Sequence, residues 1–214
     1  MILYDGCLSP GFRMIVSGSS ATGKSTFIER LLTNTNGIMP SDFDRLIYLQ
    51  GVETLASKRL REVYKDSMIV FNGIPPEQVL LPLCQAAERP LLVIEDLDQQ
   101  ACSSPLISKF FTVLAHHYNV SLILSTQNMF CPGKERLTLV RNATHLVLFP
   151  NYLDFTVVRM IAQRVHPTDP KKLIQLFDKL TKQPFGYLSI WGNCHPHLKF
   201  RSHVTEKVQN IYEL

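Results

Sequence analysis

The chain lacks any unbroken apolar run of the roughly 18 residues that a membrane-spanning helix needs. Its start shows no positive charge running into an apolar stretch, which is the pattern of a secretion leader. Charge of one sign is not in large excess: 22 Lys and Arg stand against 18 Asp and Glu, giving a net +4 and a pI near 8.8. Such a balance permits a polyanionic partner without demanding one. The five cysteines, Cys7, Cys84, Cys102, Cys131 and Cys194, are odd in number and scattered. They read as reduced thiols of an intracellular protein rather than as a disulfide framework. Cys194-His195-Pro196-His197 has no second Cys/His pair at zinc spacing, so a turn after a strand is favoured there over a metal site. No internal repeat and no low-complexity segment interrupts the sequence.

What is present is enough for a full core. At 214 residues, 45% of them apolar, the chain is expected to form one α/β domain over residues 1–200. A polar tail, residues 201–214, reads as a terminal helix or a partly disordered end. The clearest stretch lies near the start. Phe12 to Ser17 is an apolar, β-rich run that empties into Gly18-Ser19-Ser20-Ala21-Thr22-Gly23-Lys24-Ser25-Thr26 and then into the helical pattern Phe27 to Leu32. The middle segment fits G-x-x-x-x-G-K-[ST], the P-loop, in its required strand-before, helix-after context. Gly18 and Gly23 allow backbone conformations that let successive N–H groups curl around a phosphate. The helix start adds its positive end. Lys24 is expected to reach the β- and γ-phosphates of ATP, and the Ser25 hydroxyl to ligate Mg²⁺.

Downstream, strand-like runs alternate with helical patterns: Arg45–Gln50, Ser67–Phe71, Leu91–Asp96, Val120–Thr126, His145–Phe149 and Tyr187–Trp191 are the strands. Helices are expected at 54–66, 75–87, 103–117, 152–164 and 170–182, and the Pro-Gly-bearing stretch Met129 to Asn142 as a long loop. This alternation predicts a P-loop NTPase with a mainly parallel sheet sandwiched by helices. Functional groups of such a sheet gather beyond the carboxyl ends of its strands. Glu95-Asp96, after an apolar run, is a Walker B arrangement, one carboxylate holding Mg²⁺ and its neighbour orienting the attacking water. Gln127, ending the next strand, is placed to contact both the γ-phosphate and that water. Asp98 reads as surface. Arg136 and Arg141, in the stretch after Gln127, are candidates for an arginine reaching a neighbour's γ-phosphate, against the simpler reading of an exposed basic loop. Arg159, Arg164, Lys171 and Lys172 read as solvated faces that leave room for phosphate-backbone contacts.

From Glu95 onward the chain resembles the packaging ATPases of Polinton/Maverick elements and adintovirus-like viruses, within the FtsK/HerA superfamily. The matching residues run from Phe110-Phe111 through His116-His117-Tyr118-Asn119-Val120-Ser121, then Ser125-Thr126-Gln127-Asn128-Met129-Phe130 and Asn142 to Phe149. They continue with Ala162 to Pro170 and with Lys182-Gln183-Pro184-Phe185-Gly186-Tyr187-Leu188. The resemblance implies an FtsK/HerA-like, RecA-type core and an oligomeric ring that hydrolyses ATP with Mg²⁺. Such a ring drives double-stranded DNA into a preformed viral capsid or portal-like vertex, with no membrane involved. The setting it implies is intracellular, in a host nucleus or viral factory, or attached to the virion. Lys24 and Ser25 carry over directly. Family members commonly have two aspartates or Asp-Glu after the Walker B strand; here Glu95 takes the Mg²⁺ position and Asp96 the catalytic one. Relatives often carry an arginine after the His-His pair where this chain has Tyr118. The finger then comes from elsewhere, with Arg141 ahead of Arg136, or hydrolysis is weakened. Two other readings stand beside this one: a small P-loop kinase, for which no arginine-rich lid is found, and a hydrolysis-deficient ATP-binding scaffold.

Overall fold

Apolar strands that are buried on both faces need helices on both sides, and the chain supplies them. The computed structural model describes residues 7–33, 38–39, 43–130, 132–192, 194–206 and 209–214. In chain order the elements are β1 (Arg13–Ser17), α1 (Lys24–Thr33), β2 (Arg45–Gln50), α2 (Leu55–Tyr64), β3 (Met68–Asn72), α3 (Glu77–Gln85) and β4 (Pro90–Glu95). Then come α4 (Asp98–Ser103), α5 (Pro105–Lys109), a π-helical turn at Phe110–Leu114, α6 (Ala115–His117), β5 (Ser121–Thr126) and α7 (Arg136–Asn142). The last third holds β6 (His145–Leu148), α8 (Thr156–Val165), α9 (Pro170–Thr181), β7 (Leu188–Trp191), β8 (Phe200–Ser202) and β9 (Asn210–Tyr212).

The strands form one sheet in the order β3-β2-β4-β5-β1-β6-β7-β8-β9. The first six in sequence, β1 to β6, run parallel, and β7, β8 and β9 continue the sheet antiparallel. Alternate side chains divide between two cores. Met14, Val16, Leu46, Tyr48, Leu91, Val93, Ile123 and Val147 pack against Phe27, Ile28 and Leu31 of α1 and Leu60 of α2. Ile15, Ile47, Leu49, Leu92, Ile94, Leu122 and Leu124 face the other way, onto α3 to α9 through residues such as Leu80, Phe110, Phe111, Ile161 and Phe177. Burying each such aliphatic side chain contributes about 1.5–3 kcal/mol. Among the described residues no helix is long and apolar enough to cross a membrane.

Local signals set the helix starts. Thr54 and Ser57 form a reciprocal capping box on α2, Ser104 caps α5 with Pro105 behind it, and Asp169 caps α9 with Pro170 behind it. Three sequence expectations are corrected. The stretch expected as loop to Asn142 contains α7, which buries only Leu139 and Val140 and so leaves a weak periodic signal. The single helix expected at 103–117 begins earlier, at Asp98, and is broken at Ser104 and again by the π-helical turn. The tail expected as helical or disordered instead adds β8 and β9 to the sheet edge, Phe200 pairing with both Ile190 and Tyr212. Strands of three residues are too short for alternation to declare itself.

Candidate nucleotide-binding site

The strand order puts β5 between β1, which leads into the P-loop, and β4, which ends in the acids. Ser17 pairs with Thr126 and Ile94 with Leu124, so the end of β5 sits between the loop and Glu95-Asp96. Gln127 therefore emerges in the centre of the rim.

The P-loop is tied to its neighbours on both sides. Gly18 N–H donates to the Thr126 carbonyl at 3.2 Å. On the other flank, the Ser19 N–H and hydroxyl both donate to the Pro150 carbonyl, at 3.3 and 2.9 Å. Within the loop the Thr22 hydroxyl donates to Ser19 O at 2.8 Å, and Ala21 and Gly23 adopt positive φ, 61° and 104°. Lys24 is buried and folds back, its Nζ donating to the Gly18 and Ser19 carbonyls at 2.8 Å each. Burial lowers the Lys24 pKa, and the carboxylates of Asp96, Asp98 and Glu95, in that order, oppose the shift.

An open cleft of about 670 Å³ is lined by Ser20, Ala21, Lys24, Ser25, Val52, Asp96, Asp98, Gln99 and Gln127. It brings together most of the residues expected at the phosphate and acid end. Asp96 is exposed and held at φ 55°, where the backbone of Gly51 packs against it. Gly51 N–H donates to Glu95 O at 3.0 Å, and a Cβ at Gly51 would lie 2.3 Å from the Asp96 carbonyl oxygen.

Asp98, expected at the surface, is half-buried and works inside the rim. Its Oδ2 accepts from the Thr126 hydroxyl at 2.9 Å and from the Gln127 N–H at 2.7 Å, fixing the backbone from which the Gln127 side chain leaves. The correction has a physical reason: β5 lands next to β4, and no local pattern announces that neighbour.

Glu95 does not line the cleft. It is 1% exposed, on the same sheet face as α1, and its Oε2 accepts from the Tyr48 hydroxyl at 2.5 Å. Burial first, and Glu95 second, push the Tyr48 pKa far upward, so Tyr48 stays a donor. Glu95 Oε1 is buried with no hydrogen-bond partner among the described residues. A carboxylate with one oxygen secured and one open, near a half-buried hydroxyl (Ser25) and two further carboxylates, is a hard-oxygen set suited to Mg²⁺. Among the described residues no three His, Cys, Asp or Glu side chains are grouped to hold a metal unaided. That fits an ion that takes one or two carboxylates, waters and substrate phosphates. Tyr48 was not singled out from the sequence, although a tyrosine inside an apolar strand needs a partner for its hydroxyl.

The remaining predicted residues lie elsewhere. Gly23 and Thr26 face a second cavity on the far side of the P-loop. Arg136 opens α7 in the stretch that follows Gln127, and its Nη1 donates to the Phe130 carbonyl at 3.0 Å. Arg141, exposed at the other end of α7, lines a cleft with Arg164 and Lys199 beside Thr144, at the opposite rim of the parallel strands. It is removed from the P-loop.

No protein-family model and no curated protein sequence matches the chain. Solved structures do. The genome packaging NTPase B204 from Sulfolobus turreted icosahedral virus 2, in complex with sulfate, superposes with a TM-score of 0.62 at 16% identity. The match covers 92% of this chain and 97% of that one. The same protein in complex with AMP gives 0.56 at 16% identity over 87% and 95%. In complex with AMPPCP it gives 0.56 at 15% identity over 96% and 98%. At such identities the likeness speaks for the fold, which is that of the P-loop NTPases.

Proposed function

We propose that the chain is a Mg²⁺-dependent ATPase that packages double-stranded viral or transposon DNA, working as a homo-oligomeric ring at a capsid or portal-like vertex. The observation that carries the ATPase part is the shared cleft of Lys24, Ser25, Asp96, Asp98 and Gln127 above the half-satisfied carboxylate of Glu95. The packaging part draws on the fold likeness to a viral genome packaging NTPase over nearly the whole of both chains, together with the sequence resemblance.

In this reading Lys24 leaves the Gly18 and Ser19 carbonyls for the β- and γ-phosphates when ATP enters. Backbone N–H groups of the P-loop, from Ser19 to Thr26, cradle the phosphates. Ser25 Oγ and, through waters, Glu95 would hold Mg²⁺, which supplies charge neutralisation at the phosphates. Asp96 orients and deprotonates the attacking water. Gln127, steadied through its backbone by Asp98, bonds that water and the γ-phosphate and carries the nucleotide state into α7. Arg141, being on the opposite rim, acts on a neighbouring subunit's nucleotide, while Arg136 braces the loop through Phe130. The setting is intracellular, a host nucleus or viral factory.

The test is steady-state ATP turnover with and without double-stranded DNA, titrated in protein concentration against a Lys24→Ala control. DNA stimulation that grows with concentration supports the motor. Turnover indifferent to DNA at every concentration would favour a small kinase, and tight ATP binding without turnover a scaffold.

A further inference from the structure

The P-loop has two sides, and only one of them faces the acids. Residues 20, 21, 24 and 25 line the acidic cleft, whereas Gly23, Thr26, Phe27 and Arg30 line a separate cavity of about 110 Å³ closed by Phe149, Phe185, Tyr187 and Thr205. This cavity shares Arg30, Phe185, Tyr187 and Thr205 with an adjoining polar cleft of about 380 Å³. A triphosphate lying along the loop with its γ end at Asp96 and Gln127 therefore directs its nucleoside end toward the aromatic side.

That side is built to present flat apolar surface. Tyr187 is fixed: its ring stands edge-on to Phe27 at 5.0 Å and tilted against Phe149 at 5.2 Å, and its hydroxyl accepts from Val204 N–H at 2.7 Å. Phe185 is different. It is 69% exposed, and it sits at φ +61°, a backbone region that bulky L residues rarely adopt. The turn that holds it is closed by the Gly186 N–H donating to Gln183 O at 3.0 Å, at the end of α9. Its ring lies against Gly23, with Cδ1 only 2.9 Å from where a Cβ on that glycine would stand. A largely exposed aromatic ring at positive φ thus lies directly against a P-loop glycine. Strain of this sort collects at ligand clamps.

We infer that Phe185 is the stacking platform for the nucleobase, with Tyr187 as the fixed wall behind it and Arg30 at the mouth. The inference rests on the nucleotide reading above and adds to it which part of the chain holds the base. Stacking on an aromatic face tolerates any base because every base has a π-face, so the platform gives affinity before it gives discrimination.

The experiment compares binding of ATP and of inorganic tripolyphosphate by titration calorimetry, with the same Mg²⁺ throughout. The chains compared are the unaltered one, Phe185→Ala, Phe185→Leu, Phe185→Tyr and Lys24→Ala. Leucine keeps an apolar side chain over Gly23 without a π-face, and thermal unfolding checks that each variant is folded. Expected are a loss of about tenfold in ATP affinity for Phe185→Ala and Phe185→Leu, with tripolyphosphate binding unchanged. Phe185→Tyr retains ATP affinity, and Lys24→Ala loses both ligands. If Phe185→Leu binds ATP like the unaltered chain, or loses both ligands equally, the stacking assignment is overturned while the P-loop reading stands. If the unaltered chain binds neither ligand, both fall together.

Discussion

The two ends of the parallel strands each bury an ionisable side chain, and they treat it in opposite ways. At the amino-terminal rim His145 is 4% exposed, edge-on to Trp191 at 4.8 Å and to Phe12 at 6.1 Å, with the Thr144 hydroxyl 2.7 Å from Nδ1. Burial, reinforced by the positive charges of Arg201 and Arg13, pushes its pKa down to about 3, so it is a neutral, packed part of the core. At the carboxyl-terminal rim Glu95 is buried as deeply, yet one of its oxygens is left open. Depth alone does not mark a functional group. What sets Glu95 apart from His145 is an open oxygen beside the cleft, since a buried acceptor without a partner is costly.

This contrast can be broken by mutation. The largest effect is expected from Glu95→Gln, which keeps an acceptor for Tyr48 but removes the charge: kcat falls about 10–100-fold while the chain stays folded. Unchanged turnover would make Glu95 a core residue like His145. Next is Gly51→Ala, whose new methyl meets the Asp96 carbonyl oxygen at 2.3 Å. Overpacking of this kind costs about 1–3 kcal/mol, and here it displaces Asp96, so denaturant midpoint and turnover should fall together. Tyr48→Phe removes the donor to Glu95 Oε2 and leaves a buried carboxylate oxygen unpaired, a loss of about 1–3 kcal/mol by chemical unfolding. The effect at the other rim is nil at neutral pH and appears only in acid. A histidine whose folded pKa lies below its unfolded value of 6.5 costs nothing above that pH. As pH falls from there toward 3, the unfolded chain takes up a proton that the native chain refuses, and stability drops by up to about 1.4 kcal/mol per unit. Unfolding curves across that window should show the slope, and His145→Gln should flatten it.

How much of this was written in the chain depends on whether the signal is local. The P-loop carries its meaning in consecutive residues, and the apolar runs at 91–94 and 122–124 announce buried parallel strands without help from elsewhere. Asp98 and Tyr48 were missed because their importance comes from adjacency between strands that sequence order does not reveal: Asp98 matters once β5 lies beside β4, and Tyr48 once β2 does. Arg141 illustrates the same limit, since α7 carries it from the rim where its segment begins to the opposite one. The last two strands were lost for a different reason, being too short to show a period.

The far side of the P-loop is closed by Tyr187 and by the segment that hangs from its hydroxyl, Val204 and Thr205. Those residues follow Gly18 to Thr26 far along the chain and are synthesised well after them. A ribosome makes the P-loop before its enclosing wall. A nascent chain therefore carries an unwalled P-loop until residue 205 has emerged.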